Sequence, residues 1–220
     1  MSTKITKTNL DWTNVKNLCR ITMNKDSTAI PATESFKKKI LIAEHSLINT
    51  LTISWLWKHM PSWVSVHFAR HWLGWLKFIS TARTDRTNVD RNKLPQDNPV
   101  NYAGEATAQA LINVSRRRLC YQASPETRLY MEDLKTAILK VDKSISNVMV
   151  PNCIYRAGCP EIQICKYQFY VKFLKYVENN NLNINTIQQR YDAYNDYFYS
   201  WQRLKDTLED CAKGGEMDEN

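Results

Sequence analysis

Glycine is scarce in this chain: there are five in 220 residues, and no Gly-x-Gly-x2-Gly run occurs. A Rossmann dinucleotide site, which needs that run between a strand and a helix, is thereby excluded. Cys-x2-Cys pairs are also absent, although six cysteines are present. Cys153, Cys159 and Cys165 have five residues between each, in a segment punctuated by Pro151 and Pro160. With Cys120 as a fourth thiolate they form a weak zinc signal; the alternative is reduced thiols packing as small apolar groups. No metal ligand is assigned. Long apolar runs are missing too. The most apolar stretch, Leu47 to Leu76, is broken by Lys58, His59, Pro61, Arg70 and His71, short of the ~20 apolar residues of a membrane span. Met1 to Leu10 is polar, carries Lys4 and Lys7 and lacks the apolar core of a secretory signal, so cytoplasmic residence is expected. No internal repeat or low-complexity tract occurs.

What is present is enough apolar material, 43% of residues, to bury a full core in one domain with appended elements. The formal charge of +8 and pI near 9.1 suit an anionic partner, from nucleotide phosphates to nucleic acid; the alternative is a solvated basic surface. Patterning predicts a helix-rich α+β chain. Thr33 or Ser35 can cap a helix from Phe36 toward Leu47, and Leu51 to Trp57 reads as a strand. Pro61 suits the first turn of a helix carrying Val64 and Phe68, with Arg70-His71 at its end; Lys77 to Arg83 reads as a second strand. Thr84 to Val100 is charged and irregular, a surface loop holding Arg91. Asn101 is expected to open a helix to about Gln122, and Ser124-Pro125 to cap one running to about Val141. Helical patterns return over Lys166–Glu178 and Ile184–Ala212. The expected division is a polar N-terminal segment (1–32), a main domain (33–165), a helical C-terminal extension (166–212) and a disordered tail (213–220).

Thr107, Leu111, Val114 and Arg118 recur at i, i+4, i+7 and i+11, one largely apolar helix face ending in a guanidinium. Such a charge is costly to bury unless an anion or several acceptors meet it; snorkelling to solvent or pairing with Glu126 is the alternative. Gln109, Asn113 and Arg117 occupy a neighbouring face.

Fixed separations join these residues to others. Arg118-Leu119-x3-Ala123-x2-Glu126-x-Arg128 lies behind Asn113, behind Thr107-Ala108-Gln109 beginning twelve residues after Pro95, behind Arg91-x2-Leu94-Pro95, and behind Arg70-His71 and Glu44-His45. Over roughly residues 34 to 130 this array resembles the flavin-dependent thymidylate synthase family. The resemblance implies a helix-rich fold with a small sheet and additional C-terminal helices. It also implies methylation of dUMP at C5 with methylenetetrahydrofolate, FAD and NADPH. By residue it implies a catalytic Arg118 acting on the pyrimidine. Nucleotide contacts fall to His67, Arg70, Ser80, Arg83 and Arg91, and cofactor contacts to His45, Arg70, His71, Trp72, Thr107, Gln109 and Asn113. Family members are homotetramers with sites formed between subunits, so a homotetramer is expected; dUMP and folate are the expected ligands and neither a membrane nor nucleic acid is expected as partner.

The array also departs from the family pattern. Trp72 stands where that pattern has Arg, Lys77-Phe78 where it has Asn-Glu, and Thr107-Ala108-Gln109 where it has Asn-Ala-Arg; Arg83 comes one residue late. Trp72 can stack on a ring but cannot neutralise a pyrophosphate. Two other outcomes follow from these departures: a flavin-dependent dUMP hydroxymethylase, in which water captures the methylene adduct, and a non-catalytic nucleotide-binding homologue. The aromatic-rich segments Tyr167–Tyr176 and Tyr191–Trp201 read as core or subunit interface, with nucleobase stacking as the alternative.

Overall fold

In the computed structural model, residues 2–214 are described, with side chains through residue 200. The elements in order are β1 (Lys4–Asn9), α1 (Trp12–Ile21), α2 (Glu34–Ile42), β2 (Thr52–Pro61), α3 (Ser62–Ala69), β3 (Trp75–Ile79), α4 (Thr84–Thr87), β4 (Pro99–Thr107), α5 (Ala108–Arg118), α6 (Pro125–Leu139), α7 (Lys143–Val148), α8 (Asn152–Tyr155), α9 (Phe169–Asn179) and α10 (Ile187–Gly214). The class is α+β. Two compact units divide between Asn152 and Cys153.

The first unit is built on one antiparallel sheet of order β1-β2-β4-β3. Along β2, Ile53, Trp55 and Trp57 are buried; along β4, Val100, Tyr102, Gly104 and Ala106 are buried, the period of two that pleating imposes. Trp55 lies 4.8 Å from Trp75 and 5.4 Å from Trp57, and Trp57 reaches Phe68 of α3 at 4.9 Å and Tyr130 of α6 at 5.4 Å. Trp75 Nε1 donates to the Tyr102 hydroxyl at 2.8 Å, which satisfies two polar groups inside this aromatic layer. Gly104 is required by close approach: a Cβ there would lie 2.3 Å from the Trp55 ring.

The helix expected from Asn101 is corrected here, because residues up to Thr107 are strand. A strand lets Val100, Tyr102, Gly104 and Ala106 all face the tryptophans, whereas Gly104 inside a helix would cost about 1 kcal/mol. The helix begins at Ala108, with the Thr107 hydroxyl accepting from Ala110 N at 3.2 Å. The expected strand Lys77–Arg83 starts two residues earlier and ends at Ile79. Ser124 and Pro125 do begin α6, and Thr33 caps α2.

Residues 2–32 contribute β1, paired with β2 from Lys4↔Leu56 to Asn9↔Thr52 with a register shift between Ile5 and Lys7, and α1, whose buried Trp12 donates to Asp142 at 2.6 Å. On α6, Lys135 is fully buried. Its Nζ donates to Ser146 O at 2.6 Å, while Ser146 Oγ donates to Lys135 O at 2.9 Å, tying α6 to α7. Burial pushes this amine well below the ordinary lysine range.

In the second unit, α9 and α10 meet through aromatic side chains: Phe169 is 5.8 Å and Tyr176 5.1 Å from Tyr197. Phe169, Phe173, Tyr191, Tyr194 and Phe198 are buried, which is the core reading of these residues. Arg190 donates to the carbonyls of Ile154 and Tyr155 at the end of α8. The side chain of Trp201 and residues 215–220 of the tail expected to be disordered lie outside the described residues. Among the described residues no helix is long and apolar enough to cross a membrane.

Candidate functional site

Leu111, Val114 and Ser115 of α5 are buried, and Arg118 ends the face that they form. Its guanidinium is half-buried against the end of α3. Arg118 Nε donates to His71 Nε2 at 2.9 Å, and Nη2 donates to the His67 carbonyl at 2.6 Å. Nη1 makes no hydrogen bond to a described residue. Two of the five N–H donors are thus fixed, and both of those on Nη1 are left for a ligand. An acceptor at His71 Nε2 requires the neutral ring, with its proton on Nδ1.

The surroundings enforce that state. Burial, reinforced by Arg118, Lys77 and Arg117, pushes His71 down to about 4 from its ordinary 6.5. Lys77 Nζ donates to the His71 carbonyl at 2.8 Å. His67 is also held low, by burial first and then by Arg118 and Arg70, with Glu126 opposing. His67 Nδ1 lies 2.7 Å from Thr127 Oγ1, which lies 2.8 Å from Ser124 Oγ. The run after Arg118 therefore returns to α3 and fixes the helix end that the guanidinium touches. Arg70, Arg117 and Trp72 are exposed around this group, Trp72 at 75%.

A histidine with a depressed folded-state pKa contributes stability that is present above its ordinary 6.5 and is lost as pH falls toward 4. Chemical denaturation from pH 7 to 4 should accordingly show a steeper loss for the wild type than for His71→Gln. Parallel curves would mean that His71 is not held neutral by the fold.

A second polar group gathers around the first half of α5. Glu44, at φ +49, accepts from Gln109 Nε2 at 2.7 Å and pairs with Arg116. Gln109 also donates to Asn113 at 3.3 Å, and Thr107 Oγ1 to Asn49 at 3.2 Å. His45 is exposed and caps the 3-10 turn Ser46–Thr50 through Leu47 N at 3.5 Å. Arg116 escaped the sequence reading, although its spacing of seven from Gln109 puts the two on one helix face.

The structure brings together His67, Arg70, His71, Trp72 and Arg118 at one place, and His45, Thr107, Gln109 and Asn113 at the other. Three residues stand apart from the Arg118 group. Ser80 exchanges hydrogen bonds with Asn101, Arg83 is bonded twice to Asp85 at 3.0 and 2.6 Å, and Arg91 is exposed in a 3-10 turn. Among the described residues no cluster of three or more His, Cys, Asp or Glu is placed to hold a metal ion.

No family model matches this chain, and no curated protein matches its sequence. Solved structures do match. A UMP/dUMP methylase, PolB from Streptomyces cacaoi, bound with 5-Br dUMP, has a TM-score of 0.56 at 11% identity, over 71% of this chain and 95% of its own. Two structures of the flavin-dependent thymidylate synthase ThyX from Helicobacter pylori, each with FAD and dUMP, have TM-scores of 0.54 and 0.51 at 13% and 12% identity. They cover 68% and 62% of this chain and 100% and 93% of their own. The fold, helix-rich with a small antiparallel sheet, is therefore that of these proteins.

Proposed function

We propose that this chain is a divergent enzyme of the flavin-dependent thymidylate synthase kind, working in the cytoplasm. It methylates dUMP at C5 with methylenetetrahydrofolate as carbon donor and NADPH as reductant. The observation that carries the reading is the guanidinium of Arg118, half-buried, bonded through Nε and Nη2 and unbonded at Nη1. Facing the N3 and O4 side of a uracil ring, a fixed planar cation stabilises the negative charge that builds as C5 becomes nucleophilic, with no proton transfer of its own. Neutral His71 serves this by accepting from Nε, and the His67 carbonyl by accepting from Nη2.

The donor set suits FAD. Arg70 and Arg117 are exposed cations, and Trp72 exposes an aromatic plane that a ring could cover. Positive charge from these arginines replaces what Trp72 does not supply. His45, Arg70, His71, Trp72, Thr107, Gln109 and Asn113 would hold the cofactor, which when bound supplies the hydride. His67, Arg70, Ser80, Arg83 and Arg91 would hold the nucleotide. Ser80, Arg83 and Arg91 lie apart from Arg118 within one chain, as they would if a homotetramer completed each site with a neighbouring subunit's residues.

Lys77-Phe78, with Phe78 68% exposed, favours a second reading, the hydroxymethylase, because an open position there admits water. One experiment tests both: the visible spectrum of purified protein after FAD reconstitution, then mass analysis of the product from dUMP and methylenetetrahydrofolate with a reductant. A flavin spectrum and a methylated product are expected. A hydroxymethyl product selects the second reading, and a protein that stays colourless overturns both.

A further inference from the structure

A cavity of about 610 Å3 opens where β1 begins and β2 ends, lined by Ser2, Lys4, Leu56, Lys58, His59 and Tyr130. Small-molecule sites fall in the range of roughly 300–1,000 Å3. The lining has two lysines and a histidine and no carboxylate. Lys4 is paired with Leu56 across β1 and β2, and the β2–β4 register slips between Trp57 and Met60, at Lys58 and His59. His59 takes φ +54, a left-handed conformation costing a non-glycine residue on the order of 1–3 kcal/mol, and its N–H donates to Asn101 Oδ1 at 3.4 Å. Strain of that kind is retained where it places a side chain usefully.

The second observation is Tyr130. The residue is 6% exposed, its ring packs on Trp57 at 5.4 Å, and its hydroxyl makes no hydrogen bond to a described residue. The hydroxyl is not sealed in the core, since Tyr130 lines the cavity. Burial, then the charge of Asp133, holds the phenol above its ordinary range, so the hydroxyl is a donor at neutral pH. Asp133 is turned to Thr3, whose N and Oγ1 each lie 2.5 Å from its Oδ2. This hydroxyl can donate to an acceptor held in the cavity.

We propose that this cavity binds a phosphate monoester of up to nucleotide size, its phosphate on Lys4, Lys58, His59 and the Tyr130 hydroxyl and its organic body against Leu56. Several cationic donors and a hydroxyl around a space without carboxylates match a dianion with three oxygens better than a monoanionic carboxylate. The site is separate from the Arg118 group. It lies before the first residue of α3, whereas Arg118 bonds the His67 carbonyl near the far end of that helix, and none of the cavity's lining residues bonds Arg118.

The chain has four histidines, so ring-nitrogen NMR gives four sets of signals, and His59→Asn identifies one. Titration of the full chain with inorganic phosphate and with thymidine monophosphate should move the His59 signal to saturation. Lys58→Ala and Tyr130→Phe should each weaken that response about tenfold or more, as loss of a hydrogen bond to a charged group does, while Arg118→Ala leaves it unchanged. A His59 signal that stays still, one that saturates equally in Lys58→Ala, or one lost in Arg118→Ala overturns the proposal. A response to inorganic phosphate but not to the monophosphate removes the ester from it.

Discussion

Arg118→Ala is expected to lower turnover of dUMP by about 100- to 1000-fold, the usual effect of deleting one preorganised donor to developing charge. Its cause is local. Alanine removes the group that bonds His71 Nε2 and the His67 carbonyl at the same time, and with it the Nη1 donors left for a ligand. Arg118→Lys should recover little, since an ammonium on a flexible stem cannot span both acceptors and still present a planar edge outward. Circular dichroism should show both variants folded, because Leu111, Val114 and Ser115 anchor α5 independently of its last residue. Near-normal turnover in Arg118→Ala, measured under saturating dUMP and reductant, would leave the likeness as one of fold only.

Gly104→Ala should have the largest effect on stability. The added Cβ would lie 2.3, 2.6 and 2.8 Å from three atoms of the Trp55 ring. That ring cannot swing away: it is fully buried, between Trp57 at 5.4 Å and Trp75 at 4.8 Å. Overpacking of a filled core costs typically 1–3 kcal/mol, and this contact belongs at the upper end. For a chain of this size that lowers Tm by roughly 6–12 °C. The loss should be smaller when measured against a Trp55→Phe background, because the two positions share one space. An unshifted Tm would show that β4 can move off β2, contrary to their unbroken register from Thr52↔Thr107 to Trp57↔Tyr102.

The elements legible in the sequence were those with a local signal. Ser124-Pro125 marked the start of α6 because a hydroxyl cap followed by a fixed φ has few other uses. Arg118 was singled out by its place on an apolar face, and that face is buried as expected. β4 was missed because Ala103, Gly104, Glu105 and Ala106 have low strand propensity; their alternation is decided by the tryptophans across from them. β1 was missed for a similar reason. Lys-Ile-Thr-Lys-Thr-Asn has little to bury and is a strand only because β2 supplies its partners. The spacing of the motifs singled out Arg118, His71 and His67 as candidates, but not the contacts between them. The hydrogen bond from Arg118 to His71 spans 47 positions, and nothing local encodes it. Lys135 gave no warning at all, since a lysine within a charged helix is ordinarily solvated, and its burial is set by Ser146 on α7.

The sheet order also fixes when folding can finish. β1 leaves the ribosome first, yet its partner β2 begins more than forty residues later. β2 in turn pairs with β4, another crossover further on. Thr3 cannot meet Asp133 until 130 more residues have been made. Strand pairing across such separations closes long loops before any contact offsets their entropy, so the unit should condense late and in one step. Through most of synthesis the tryptophans of β2 are uncovered, which makes the nascent chain, rather than the finished protein, the form most in need of a chaperone.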